Sequence, residues 1–164
     1  MTLIVSTFVS MWISSFQNMR FPSLGTIQVV GVEVYGGNIS TTQNGAQCID
    51  WGTVYPGSVI NCSFYVKSKS NMPVTLNLSI SNINFKNSKG ENITQAPPIN
   101  EPLSLKWNYT DTVLNPKDAI YVTLTLKASS DNLFVEYLID NAVKEFSFDI
   151  IITALPQILS HYKS

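Results

Sequence analysis

The feature that most restricts what this chain can fold into is a two-residue alternation of apolar and polar side chains, recurring in short runs from Thr26 to Ala154. An extended strand points successive side chains to opposite faces, so this pattern buries one face and wets the other. The runs are 27–36, 48–55, 58–68, 73–80, 103–110, 120–128 and 145–154. In the third, Ile60, Cys62, Phe64 and Val66 share one face, while Asn61, Ser63, Tyr65 and Lys67 share the other. Val74, Leu76, Leu78 and Ile80 form the inward set of the fourth, and Leu103, Leu105, Trp107 and Tyr109 that of the fifth. The last two offer Ile120, Val122, Leu124, Leu126 and then Phe146, Phe148, Ile150, Ile152. Turn signals separate the runs, notably Pro56-Gly57 and Asn115-Pro116-Lys117-Asp118. One wet face implies antiparallel pairing. The expected fold is all-β: a seven-stranded antiparallel immunoglobulin-like sandwich over residues 26–154, with a tail at 155–164.

Two stretches depart from the rhythm. Residues 81–102 form a long Asn- and Pro-rich connection, a place where binding function often sits. In 130–141, Leu133, Phe134, Tyr137 and Leu138 repeat with helical spacing, and Ser130 or Asp131 can cap the start. A short helix plugging one end of the sandwich is expected there, with a partner-binding knob as the alternative.

Residues 1–20 form a hydrophobic N-terminal segment without side-chain charge before Arg20. As a helix it is about 28 Å long, close to the ~30 Å apolar core of a bilayer. Ser6, Ser10 and Ser14 would form a small-residue seam on it. A signal peptide or membrane anchor is one reading, although no Lys or Arg precedes the apolar run and no small-residue cleavage site follows it. The same residues also alternate with period two. Leu3, Val5, Val9, Met11 and Ile13 would then be the apolar side of a donor strand that completes a neighbouring sheet.

Charged residues make up 13% of the chain, against roughly 25% in an average soluble domain, and the deficit is filled by Asn, Ser and Thr. Such a surface changes little with pH and suits an exposed exterior. The net charge is −1, with Lys67 and Lys69 the close basic pair, so nucleic-acid binding through clustered cations is not expected. One histidine, His161, and two cysteines leave neither a His-based triad nor a His- or Cys-based metal site within the domain. Phosphate-binding glycine loops and nucleophile-elbow motifs are absent from the sequence. Asp131, Glu136, Asp140 and Glu145 lie near one another in sequence but lack the ordered spacing of a calcium loop, so a solvated helix face is expected of them. Trp51, Trp107 and Tyr109 could form a sugar-stacking platform, but their inward phase points to core packing. These absences leave catalysis unsupported rather than excluded, and a non-enzymatic chain without cofactor is expected.

Asn38, Asn61, Asn77, Asn92 and Asn108 each begin an Asn-x-Ser/Thr sequon. Three of these, Asn61, Asn77 and Asn108, fall on outward strand positions, and Asn92 lies in the long connection. All five are candidate glycosylation sites of an exported protein. Cys48 and Cys62 flank the Pro56-Gly57 turn, and a disulfide between them would close a loop of about 15 residues, worth about 3 kcal/mol. Their strand phases are opposite, so pairing would need a bulge; two free thiols are the other outcome.

The run Ile49-Asp50-Trp51-Gly52-Thr53-Val54 followed by Pro56-Gly57-Ser58 and then Pro73-Val74-Thr75-Leu76, together with Leu105-Lys106-Trp107-Asn108-Tyr109-Thr110 and the closing Phe146 to Ile152, resembles small archaeal exported β-sandwich proteins of unassigned function. The Trp-Gly-x-Val-x-Pro-Gly portion is similar to Hydin-type and major-sperm-protein-type immunoglobulin-like domains. More distantly, the arrangement resembles TasA/camelysin-type fibre subunits, in which a strand of one subunit completes the next. Taken with the sequons and the apolar residues 1–20, the resemblance leads us to expect an extracellular or cell-surface structural or adhesive module, a glycoprotein that associates with itself or with other surface proteins, touches a membrane through residues 1–20, or assembles as a pilus-like fibre by strand addition. A membrane-anchored ligand-binding domain using the 81–102 and 130–141 segments is the alternative.

Overall fold

The computed structural model of the protein describes residues 21–157. They form two β-sheets packed face to face, with one short helix at an end. In chain order the elements are β1 (Phe21–Val30), β2 (Val32–Tyr35), β3 (Ile39–Thr41), β4 (Gln47–Val54), β5 (Val59–Ser68), β6 (Val74–Asn87), β7 (Leu103–Trp107), β8 (Ala119–Ala128), α1 (Asn132–Asp140) and β9 (Val143–Pro156). One sheet has the order β3-β4-β1-β9-β6, the other β2-β5-β8-β7.

The core lies between the sheets. Ile49, Trp51, Phe148, Ile150 and Ile152 come from one inner face and Phe64, Val66, Val122, Leu124 and Leu126 from the other. Removing each such side chain from water contributes about 1.5–3 kcal/mol, which is why the alternation fixes the register of every central strand.

The β-sandwich is present, but it has nine strands among the described residues, not seven, and one pairing is parallel. The expected first strand, 27–36, is two strands in two sheets. Gly31 adopts φ +73° and lets the chain cross from the β4–β1–β9 sheet to β5. The crossing also shifts the buried phase: Ile27 is buried before it, Val32 and Val34 after it. β3 is a three-residue strand on the edge beside β4, too short to show an alternation. β1 runs parallel to β9, from Ser23 opposite Phe146 to Val30 opposite Thr153. The other strand pairs are antiparallel. The strands also pass the expected domain bounds, starting at Phe21 and ending at Pro156.

The 81–102 connection is shorter than expected, because β6 continues through Asn-rich sequence to Asn87 and buries Phe85. The rest of the loop is tied down. The Ile93 N–H donates to the Phe85 carbonyl at 2.9 Å, and the Tyr137 hydroxyl donates to the Gln95 carbonyl at 2.8 Å. The 130–141 segment contains the expected helix. Asp131 caps it by accepting from the Leu133 N–H at 2.8 Å. Phe134, Val135, Tyr137 and Leu138 are buried, and Phe85 meets Phe134 and Tyr137 edge-on at 6.0 and 5.7 Å. The helix is a plug over one end of the core.

Candidate functional site

The surface that packing leaves unexplained is the outer face of the β2-β5-β8-β7 sheet. Alternation along β5 buries Cys62, Phe64 and Val66 and turns Asn61, Ser63, Tyr65 and Lys67 outward. Register then arranges outward side chains of neighbouring strands in rows across the sheet. Tyr65 is opposite Tyr35 on one side and Tyr121 on the other. The Tyr35 and Tyr65 rings are 5.3 Å apart and 13° from parallel; Tyr65 and Tyr121 are 4.9 Å apart at 57°. All three rings are open to solvent, at 41%, 42% and 56% of full exposure for Tyr35, Tyr65 and Tyr121. Three exposed aromatics in contact are unusual, since burying rings of this size is worth several kcal/mol.

The next row is polar and uncharged. Ser63 and Thr123 are register partners whose hydroxyls lie 2.8 Å apart. Asn38 flanks them on one side, accepting from the Ser63 N–H at 2.9 Å, and Asn108 on the other, accepting from the Thr123 N–H at 2.8 Å. Gly37 makes the approach of Asn38 possible: its φ is +59°, and a Cβ there would stand 1.9 Å from the Ser63 carbonyl oxygen. One row further, the Thr125 hydroxyl donates to the Asn61 Oδ1 at 2.8 Å. Charges stand at the two ends of the face. At one end Lys69 pairs with Glu33 beside Lys67; at the other, Lys106 and Lys127 border a shallow groove with Val59, Ser104 and Thr125.

The structure disperses the other sequence-predicted residues. Asn77 and Asn92 are exposed on and beside β6, far in register from Asn38, Asn61 and Asn108. The two cysteines are both free and buried. Cys48 turns from the core toward β3, where its sulfur lies 3.2 Å from the Ser40 hydroxyl, whereas Cys62 faces inward from the other sheet. The disulfide weighed from the sequence is therefore not made: the register of β4 against β1 does shift, between Asp50 and Gly52, but beyond Cys48, which keeps the phase opposite to Ile49 and Trp51. Burial pushes the Cys62 thiol up. Trp51 is in the core, and Trp107 and Tyr109 pack half-buried against it, as their phase implied. Asp131 is occupied as a cap, Glu136 and Asp140 are exposed on the outer side of α1, and Glu145 pairs with Lys86 at 3.0 Å. The donor-strand residues Leu3, Val5, Val9, Met11 and Ile13 lie outside the described residues. Among the described residues no helix is long and apolar enough to cross a membrane.

Sequence reasoning missed the tyrosine row. Each strand alone shows a single outward tyrosine, and only the pairing of β2, β5 and β8 aligns them. The available signal was an outward tyrosine at Tyr35, Tyr65 and Tyr121 in three strands that must share a sheet.

No protein-family model and no curated protein matches the sequence. Among solved structures the chain is similar to the ASH / PapD-like domain of human CEP192 (PapD-like domain 7), with 11% sequence identity and a TM-score of 0.34 over 79% of this chain and 88% of that one.

Proposed function

We propose that this protein is a non-enzymatic structural or adhesive module of the extracellular or cell-surface environment, working by contact through the outer face of its four-stranded sheet. The observation that carries this reading is the exposed Tyr35–Tyr65–Tyr121 row: tyrosine offers large, rigid contact area and a hydroxyl at low entropic cost, and is enriched where proteins bind. The low charge of the chain, its five sequons and the resemblance of its sequence to exported archaeal β-sandwich proteins, which are usually preceded by a hydrophobic N-terminal segment, support the location. Retention of the purified protein on isolated envelopes of its source cells tests it. Replacing Tyr65 and Tyr121 together by Ala is expected to lower retention at least tenfold without changing the unfolding midpoint. Equal retention refutes the reading.

A second reading, self-assembly into fibres by strand addition, has one observation in its favour. Along β6, the N–H of Val74 donates to Leu114 and that of Leu76 to the Tyr109 hydroxyl, away from β9. The same phase directs the backbone groups of Leu78 and Ile80 outward, where no described residue bonds them. An extended segment can add there. With residues 1–20 as donor, Val9→Lys should abolish polymers and leave the domain folded, as read by light scattering and microscopy. Unchanged polymer length removes this reading.

A further inference from the structure

We infer that the Tyr35–Tyr65–Tyr121 row and the Asn38–Ser63–Thr123–Asn108 row beside it form one binding surface for a neutral, extended oligosaccharide lying across the strands. This rests on the contact-surface reading above and names the chemistry of what that surface holds.

Ring geometry is the first support. The Tyr35 and Tyr65 rings are nearly parallel with centroids 5.3 Å apart, Tyr121 is turned by 57° against Tyr65, and all three residues are at least 41% exposed, so the row offers a sugar a continuous aromatic surface. The axial C–H groups of a pyranose form an apolar face that suits such rings, while its equatorial hydroxyls form a polar rim. The row of rings runs across strands spaced ~4.8 Å apart, about the advance per residue of an extended, equatorially linked pyranose chain. One sugar per strand is the resulting match.

The polar row is the second. Its centre, Ser63 and Thr123, stands two residues along β5 and β8 from Tyr65 and Tyr121, about 7 Å away and within reach of a sugar's rim, and Asn38 and Asn108 extend it to either side. Asn38 and Asn108 each accept a backbone N–H, from Ser63 and Thr123, and this identifies the oxygen end of both amides. Their Nδ2 groups are left as donors with no described partner, held in place before a ligand arrives. Preorganised donors reduce the ordering cost of binding. The Ser63–Thr123 hydroxyl pair and three phenols add groups that both donate and accept.

Charge is the third. The two rows carry no ionisable group other than the phenols; Glu33, Lys67 and Lys69 stand beyond one side, Lys106 and Lys127 beyond the other. A polyanionic glycan or nucleic acid would engage those lysines and bind with steep salt dependence. A neutral chain uses the centre of the face, where the exposed rings are.

Asn38, Asn61 and Asn108 begin sequons, and a glycan on Nδ2 would consume the donors invoked here, so the full chain is produced in a host without N-glycosylation. Titration calorimetry with hexamers of β-1,4-linked glucose and of β-1,4-linked N-acetylglucosamine, with a sulfated polysaccharide alongside, tests the inference. Saturable binding of a neutral hexamer is expected, little changed between low and high salt. Tyr65→Ala should weaken it at least tenfold. Asn108→Asp keeps the oxygen that Thr123 needs and removes the donor, and should weaken it about as much while the unfolding midpoint stays put. No binding of either neutral hexamer, binding of the sulfated chain alone, or equal affinity in both variants overturns the inference. Loss of envelope retention in the Tyr65/Tyr121 variant without hexamer binding, or association of copies through the row, overturns the sugar ligand and leaves the contact-surface reading standing.

Discussion

Gly25 lies at the middle of β1, faces the core and is buried. A Cβ built there would stand 2.8 Å from the Trp51 Nε1, 2.9 Å from the Ile150 Cδ1 and 3.4 Å from Phe148. Ile150 can turn its terminal methyl; the indole, packed against Phe148 at 6.2 Å, is rigid. Gly25→Ala therefore overpacks the core at one identifiable point, at a cost of about 1–3 kcal/mol. Removing glycine's freedom in the unfolded chain returns about 0.4–1 kcal/mol, leaving a net loss of about 1–2 kcal/mol. Trp51→Phe deletes the atoms in the way. It also removes a buried N–H that has no hydrogen-bond partner among the described residues, a group whose desolvation costs about 1–3 kcal/mol. In the Trp51→Phe background, Gly25→Ala should cost at least ~1 kcal/mol less than in the parent. Urea unfolding followed by far-ultraviolet circular dichroism reads the cycle without relying on tryptophan fluorescence; with a slope of ~1–3 kcal/mol per molar, the parent loss is a midpoint shift of roughly 1 M. Additivity within ~0.5 kcal/mol would refute the idea that Gly25 is there to make room for the indole.

Phe134→Ala should remove the centre of the end plug and destabilise the fold by about 3–5 kcal/mol, seen as a lowered urea midpoint. Burial raises the phenols of Tyr109 and Tyr137 above the ordinary value near 10, so the neutral forms are favoured by folding. Their contribution is intact below pH ~10 and is lost as pH rises through the folded values, so thermal midpoints should fall there, and less so in Tyr109→Phe and Tyr137→Phe proteins. Cys48 and Cys62 should resist a maleimide in the native protein, react one each in denaturant, and show no mass difference on reduction.

Much of the sandwich was legible because burial in a two-layer fold writes itself into period two. Phe64, Val66, Val122, Leu124, Leu126 and the Phe146–Ile152 set are all buried as their phase required. Alternation says nothing about which strands are neighbours, so the parallel β1–β9 pair had no signature. Leu78 and Ile80 share the phase of Val74 and Leu76 yet are only half-buried, since β6 is an edge strand. The crossing at Gly31 was readable in principle, because the buried phase changes there and glycine supplies the positive φ. The extension of β6 to Asn87 was hidden by asparagines, which are poor strand formers, around a single buried Phe85. The candidate surface was the least legible part, as a row of tyrosines exists only once register is known.

The parallel β1–β9 pair has a mechanical consequence. Because both strands run the same way, the chain enters β1 at one pole of the sandwich and leaves β9 at the other. Tension applied through the two ends would load that pair in shear, with the bonds from Ser23–Phe146 to Val30–Thr153 bearing force together rather than opening one at a time like a zip. The rate of forced unfolding would then be set by the joint rupture of this clamp. A module tethered at one pole and pulled at the other would hold its shape until it gave way all at once.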